Sequence, residues 1–209
     1  MAINLAVTEA ELLFNFSGTT DLQFFSEWQE NLPELTQSER ETLGRIKNSY
    51  LCSTADGSMT ETTVNLLLVS PLLYLAGFCD PPYKLRGEKS VEISVEERNE
   101  IYRGRIDALV LLHQFWLTLV ESKQTKFSFS VAIPQALAYM MANPHPERPT
   151  FGLITNGDSF LFIKLVKKTV AEYDLSTDFS IFDRPQNELY EVLRVMKRIG
   201  ALMALTSNQ

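Results

Sequence analysis

Residues 104–124 read GRIDALVLLHQFWLTLVESKQ, and this stretch decides the fold. It holds most of two apolar runs, 101–112 and 115–123, whose β-branched, aromatic and aliphatic residues are typical of buried strands. Two carboxylates, Asp107 and Glu121, interrupt these runs. A buried carboxylate is costly unless it is paired or binds a cation, so two of them in adjacent strands need a partner.

The length of the connection between these strands decides whether the two carboxylates share a face. A two-residue turn at 113–114 would place Asp107 opposite Val120, with Glu121 on the other face. A three-residue loop at 113–115 would place Asp107 directly opposite Glu121, and a bulge in either strand would restore the same parity. Directly opposed residues have Cβ atoms about 5 Å apart, so both carboxylates would then reach one hard divalent ion.

Lys123 completes the candidate site, because it lies two residues beyond Glu121 and that spacing keeps it on the same face of a strand. The three-residue loop would also place Arg105 opposite Lys123. Carboxylate oxygens favour Mg²⁺, with Mn²⁺ as a substitute, and no His or Cys cluster competes for a metal. Such an ion activates a bound water and neutralises charge on a scissile phosphate, while Lys123 would stabilise the charge that grows in the transition state.

Helical patterns precede this stretch. Thr36 and Glu39 predict a capping box, in which a hydroxyl and a carboxylate satisfy each other's free amides at the start of a helix. A second helix is predicted from Thr60 to Ala76, with one apolar face, a kink or an effective end at Pro71, and a stop at Gly77.

Strands and helices then alternate. The further predicted elements are a strand over 91–95, a helix over 131–141, a hairpin over 151–165 that turns at 156–158, a strand over 169–175, and a helix from Pro185, in its first position, to Leu205. This order predicts an α/β fold, with a mixed sheet of four or five core strands and helices on both sides. Residues 1–57 are expected to form a helical segment packed on a main domain, 58–209, as one continuous unit.

An aspartate followed on the next strand by Glu-x-Lys resembles the PD-(D/E)xK nuclease superfamily, which has the restriction endonuclease-like fold. Asp107 and Glu121-Ser122-Lys123 match this motif, and Ile106 stands where the motif has proline. The resemblance implies that Asp107, Glu121 and the backbone carbonyl of Ser122 bind Mg²⁺. It also implies that Lys123 supports the nucleophile and the transition state.

Three further features are similar to this superfamily. The helix before the central strands bears Glu61, which would bind the metal through water. The following helix carries Gln135-x-x-x-Tyr139, as in RecB-like members, where the pair lies near the active site; an ordinary helix surface is the alternative. The stretch 151–165 resembles a hairpin in the N-terminal nuclease domain of type I restriction subunit R. Together the matching features cover roughly residues 60–165.

The resemblance implies a nuclease that hydrolyses DNA and works in restriction–modification. The chain carries no ATP-dependent motor of the type I kind, so a free-standing nuclease domain is expected, or one with a separate motor or specificity subunit. A homodimer would supply two active sites for cleavage of both strands. The sequence does not separate DNA from RNA, or endonucleolytic from exonucleolytic cleavage.

Each candidate residue also has a purely structural interpretation. Asp107 and Glu121 could pair with Arg105 and Lys123 in a cross-strand salt network. Glu61, in the first turn of a helix, is favoured by the macrodipole without any metal. The fold as a whole could then be a catalytically inactive nuclease-like module that binds nucleic acid or assembles with another protein.

The composition limits these choices only mildly. The net charge is −7, which argues against strong non-specific binding of nucleic acid and favours the inactive module. Cys52 and Cys79 form no metal-binding pattern and are expected to be reduced thiols in the core. The N-terminus has no secretory pattern, and the most apolar run, 64–78, is too short to cross a membrane, so a cytoplasmic protein without a membrane partner is expected.

Overall fold

The computed structural model describes residues 7–55, 57, 59–95, 100–111, 115–119, 129–183 and 186–205. Within these ranges the backbone alone is described for 87–95, 100–111, 115–119 and residue 131. The α/β class is confirmed, as is a mixed sheet with helices packed on both faces.

One twisted path of hydrogen-bonded strands runs in the order β1-β7-β6-β5-β4-β3-β2, and β8 also pairs with β6. The strands are β1 (Phe16–Gly18), β2 (Lys84–Val95), β3 (Glu100–Leu111), β4 (Phe115–Leu119), β5 (Thr150–Thr155), β6 (Ser159–Val166), β7 (Ala171–Leu175) and β8 (Phe179–Ser180). Among the described strand pairs, β4·β5 and β1·β7 are parallel and the others are antiparallel. The sheet exceeds the four or five strands predicted for its core, because β1, β7 and β8 extend it beyond β6.

The helices are α1 (Val7–Phe14), α2 (Gln37–Thr54), α3 (Glu61–Val64), α4 (Ser70–Leu75), α5 (Phe129–Met141) and α6 (Leu189–Leu205), with a 3₁₀ turn at Ser26–Trp28. The capping box predicted at the start of α2 is confirmed. The Thr36 hydroxyl accepts from the Glu39 amide at 3.2 Å, and Glu39 Oε2 accepts from the Thr36 amide at 2.7 Å.

The helix that bears Glu61 does not end at Pro71. A π-helical turn, Asn65–Val69, joins α3 to α4, and the amide of Ser70 donates to the carbonyl of Asn65. A proline ring clashes with the carbonyl four residues earlier in regular α-geometry, and the wider π turn relieves that clash. Gly77 ends the helix as predicted, with φ 82° and the Phe78 amide bonded to Leu73.

Two boundaries differ from the predictions. Helix α6 begins at Leu189, where Asn187 Oδ1 accepts from the Leu189 amide at 3.3 Å; Pro185, the predicted first position, lies outside the described residues. The N-terminal segment, predicted as helical, contributes strand β1, which pairs with β7 at the edge of the sheet. A three-residue strand is too short to show alternation, and its partner lies more than 150 residues away.

The predicted hairpin between β5 and β6 is confirmed, and it needs glycine at its turn. Gly157 has φ 93°, a region that side chains with a Cβ rarely adopt. A Cβ there would also lie 2.3 Å from the hydroxyl of Tyr50 in α2. That hydroxyl donates to Asp158 Oδ1 at 2.9 Å, so α2 is fastened to the turn.

The two faces of the sheet carry different cores. The face under α2 and α6 is filled by large side chains, among them Phe25, Phe151, Phe160 and Phe162. The face under α1 and α5 is filled largely by small and aliphatic ones, including the alanines Ala10, Ala132, Ala136, Ala138 and Ala171. We refer to these as the aromatic face and the alanine face.

Two further predictions concern the cysteines and membrane-spanning segments. Cys52 and Cys79 are free, as expected, but both are exposed, so the prediction that they lie in the core is wrong. Among the described helices none is long and apolar enough to cross a membrane.

Candidate active site

Asp107 lies within β3, and the described register of this strand matches neither of the two loop lengths considered for its connection to β4. Ala108 pairs with Leu117, whereas a three-residue loop that set Asp107 opposite Glu121 would pair Ala108 with Val120. Lys123, which the three-residue loop would place opposite Arg105, lies outside the described residues. The described pairs leave four residues, 111–114, between Val110 and Phe115. By alternation, only the bulge named above would return Glu121 to the face of Asp107.

The register assigns Asp107 to the alanine face. Leu109 pairs with Trp116, and Trp116 pairs with Gly152, so these three positions share one side of the sheet. Ile154, two residues beyond Gly152, is buried in the cluster that contains α5. Asp107 is two residues from Leu109 and therefore belongs to the same side. The Cα atoms of α5 come within 8 Å of Cα atoms in β2, β4 and β5, so this helix covers the sheet beside Asp107.

The neighbouring strand brings a second acidic residue level with Asp107. Gly87 pairs with Ala108 and Lys89 with Ile106, so Glu88 stands opposite Asp107. Like charges directly opposite each other destabilise a strand pair unless a cation lies between them. The sequence pattern did not identify Glu88, because the predicted strand covered only 91–95, whereas β2 begins at Lys84. One sequence signal could have identified Glu88: it is followed four residues later by another acidic residue, Glu92.

Arginines follow along the same side of β3. Arg103 pairs with Glu92, and Arg105 pairs with Ser90. Arg103 thus stands at a position where a cross-strand ion pair is geometrically available, which is the charge-balancing interpretation. Arg105 faces no acidic residue across this pair and is the better candidate for a phosphate contact.

Three of the predicted site residues, Glu121, Ser122 and Lys123, lie outside the described residues. Strand β4 is described as far as Leu119, two residues before Glu121. The strand that leads to the Glu-x-Lys motif is therefore directly beside β3, between it and β5.

Glu61 occupies the first position of α3. The Thr60 side chain caps this helix by accepting from the Thr63 amide at 3.2 Å, so Glu61 lies in the first turn, at the positive end of the helix dipole. That position suits the purely structural interpretation of Glu61. It leaves the water-mediated metal contact as an implication of the resemblance.

The predicted pair on α5 is brought together. Gln135 Nε2 donates to the Tyr139 hydroxyl at 2.6 Å, and Tyr139 is only 1% exposed. Tyr139 is therefore not the ordinary helix-surface residue that was the alternative. The bond holds the amide of Gln135, which is partly exposed, on the side of the sheet that contains Asp107.

The residue types of β2 and β3 bear on whether a divalent cation suits this region. Among the residues whose side chains are described, no three His, Cys, Asp or Glu groups could hold a metal ion. The acidic positions of β2 and β3 lie outside that set, and Glu88 level with Asp107 supplies oxygen donors of the kind that Mg²⁺ and Mn²⁺ prefer. The chemistry of the donors thus fits a hard cation.

Comparisons with known proteins assign no family. No protein-family model matches the chain, and no curated protein is similar to it in sequence.

Proposed function

We propose that this protein is a Mg²⁺-dependent nuclease that hydrolyses phosphodiester bonds in DNA, built on a restriction endonuclease-like core. The observation that carries the proposal is the arrangement around Asp107. Strands β2, β3 and β4 are antiparallel neighbours, α5 follows, and β5 lies parallel to β4. This agrees with the element order that the resemblance implies, and it sets Asp107 beside the strand that precedes Glu121-Ser122-Lys123.

The roles of the side chains follow from their chemistry. Bound Mg²⁺ supplies an activated water and neutralises charge on the phosphate. Asp107 would hold the ion, together with Glu121 and the Ser122 carbonyl. The ammonium group of Lys123 orients the attacking water and stabilises the negative charge that grows on the phosphate. Gln135, held by Tyr139, contacts the substrate or the lysine.

The observed register raises the question of which carboxylate partners Asp107. Glu121, outside the described residues, would share the face of Asp107 only through a bulge, whereas Glu88 is level with Asp107 in the described part of the sheet. Glu88→Gln and Glu121→Gln therefore form a matched pair of variants. The variant that weakens Mn²⁺ binding more identifies the second ligand.

Cleavage of supercoiled plasmid DNA in Mg²⁺ or Mn²⁺ tests the activity. Asp107→Asn and Lys123→Ala should each lower the nicking rate by about 100-fold or more, because each removes a group that acts on the developing charge. Asp21→Asn and Lys168→Ala change the same residue types at exposed positions and should leave the rate unchanged. Nicking that survives both site variants would contradict the assignment. Parallel assays on single-stranded RNA separate the two nucleic-acid substrates.

The acidic composition favours a second candidate, an inactive nuclease-like module that binds nucleic acid or assembles with a protein. Acidic residues number 26 and basic residues 19, the opposite of the basic excess of most nucleic-acid surfaces. Calorimetric titration with Mn²⁺ distinguishes the candidates. An enzyme should bind Mn²⁺ at a site that Asp107→Asn abolishes, whereas the inactive module should show no such site.

A further inference from the structure

Lys167, which follows β6 directly, binds the end of α5 in an unusual way. Its ammonium group donates to the carbonyl oxygens of Met141 and Asn143, both at 2.6 Å. Met141 is the last residue of α5, so the cation stands at the negative end of the helix dipole and satisfies carbonyls that have no partner within the helix. Burial lowers the pKa of Lys167, and it forms no ion pair with a carboxylate among the described residues.

Asn143 adds a second fastening at the same point. It is 3% exposed, and its Nδ2 donates to the hydroxyl of Thr150, the first residue of β5, at 2.7 Å. Its Oδ1 accepts from the amide of His145 at 2.9 Å, which turns the chain back toward the sheet. The end of α5 is thus joined to the start of β5 through Asn143 and to the end of β6 through Lys167.

We refer to the hydrogen bonds that Lys167 and Asn143 make at the end of α5 as the clamp. The clamp lies one helical turn from Tyr139. The amide of Ala142 donates to the carbonyl of Tyr139 at 3.0 Å, so the turn that the clamp holds is the turn that carries this side chain. The buried residues of α5 include three alanines, Ala132, Ala136 and Ala138, beside the larger Ile133, Leu137 and Met140. Apolar packing is non-directional, so the hydrogen bonds at the end of α5 add a directional constraint on its position along the sheet.

We propose that Lys167, with Asn143, is a positioning residue that holds Gln135 and Tyr139 in place over the side of the sheet that contains Asp107. This inference rests on the proposed nuclease function for its effect on catalysis. The clamp itself does not depend on that function. Lys167 acts through α5 and does not touch the substrate.

Two substitutions at Lys167 test the proposal. Lys167→Met keeps the length and removes the charge, and Lys167→Arg keeps a cation that donates to two carbonyls. Lys168→Met is the matched control, because Lys168 is the adjacent residue and its own side chain is 55% exposed. Hydrogen exchange of the amides of residues 141–143 reports on the clamp without reference to activity.

In Lys167→Met we expect these amides to exchange about tenfold faster, because the last turn of α5 opens more readily. We expect kcat for plasmid nicking to fall about tenfold with KM unchanged, since the substrate-binding surface is kept while the positioning is lost. Lys167→Arg should restore both quantities to within about twofold of the wild type. Lys168→Met should change neither.

Three results would overturn the proposal. They are unchanged exchange in Lys167→Met, a loss of kcat no larger than in Lys168→Met, or failure of Lys167→Arg to restore either quantity. If Lys167→Met does not fold, Thr150→Val removes only the partner of Asn143, and unchanged exchange in that variant has the same meaning. A wild-type protein without nicking activity refutes the nuclease function and the positioning role with it, while the exchange rates still decide the clamp.

Discussion

The aromatic face and the alanine face of the sheet solve the same packing problem in different ways. On the aromatic face, rings meet edge to face, as where Phe162 and Phe179 have centroids 6.0 Å apart at 80°. On the alanine face, small side chains let the backbone of α5 come within 8 Å of the strands. The first arrangement buries more apolar area per residue, and the second brings a helix and its polar side chains close to the sheet.

Under the proposed function, we expect this difference to separate effects on stability from effects on activity. The aromatic face holds the 3₁₀ turn, α2 and α6, and its polar groups act as fasteners. Lys164 donates to Glu27 Oε1 and to the Phe24 carbonyl, both at 2.5 Å, and ties the 3₁₀ turn to β6. The alanine face carries the candidate site, because Asp107 and the Gln135–Tyr139 pair are on this side. We expect mutations on the aromatic face to affect mainly stability, and mutations on the alanine face to affect activity as well.

The largest expected effect is on the aromatic face. Phe162→Ala should lower the free energy of unfolding by about 3–5 kcal/mol, because a fully buried ring is replaced by a cavity among other aromatic side chains. Urea unfolding monitored by circular dichroism measures this. Phe182→Ala is the control, since Phe182 is 51% exposed and its loss should cost little. Equal losses in the two variants would remove the distinction between the faces.

A smaller loss of stability, coupled to activity, is expected on the alanine face. Ala138 is fully buried in α5, and Ala138→Leu should lower the free energy of unfolding by about 1–3 kcal/mol, because the longer side chain pushes the helix away from the sheet. Nicking should fall further than the fraction of folded protein does. Ala201→Leu, at an exposed position of α6, should change neither quantity. Unchanged nicking by folded Ala138→Leu protein would show that close approach of α5 is not needed.

The smallest expected effect is a loss of stability at high pH, which involves one tyrosine on each face of the sheet. Burial, with Glu11 and Asp174 nearby, raises the pKa of Tyr173 to about 12, and burial with Asp158 raises the pKa of Tyr50 as well. A raised folded-state pKa gives stability that is full below the unfolded value near 10 and is lost as the pH rises toward 12. Tyr173 alone should account for a loss of about 0.4 kcal/mol at pH 10. Urea unfolding between pH 8 and about pH 11 should show a shallower decline in Tyr173→Phe, and an unchanged decline would contradict the assignment.

Much of the fold could be predicted because its signals are local. The capping box at Thr36, the stop at Gly77 and the turn at Gly157 each depend on a few adjacent residues and their allowed backbone angles. Strand β1 and the start of α6 could not be predicted in the same way. The first is a strand only because β7 lies beside it, and the second begins where Asn187 reaches a free amide.

The same contrast between local signals and contacts of distant residues applies to the candidate site. The spacing within Glu121-x-Lys123 and within Gln135-x-x-x-Tyr139 is local, and the second pair forms the contact that its helical spacing indicates. The pairing of Asp107 with a second carboxylate is not local. It depends on the connection between β3 and β4 and on where β2 begins, and both differ from the expectation.

By itself, the sequence determined most of the helical and extended segments after residue 30, where the tightest turns fall, and that a carboxylate lies inside a long apolar strand. These follow from side-chain periodicity, caps and steric limits, which act over a few residues. Only the tertiary structure decided that Ala108 pairs with Leu117, that Glu88 stands level with Asp107, and that Lys167 holds the end of α5. Those contacts join residues distant in sequence, and a shift of one residue in register changes which side chains share a face.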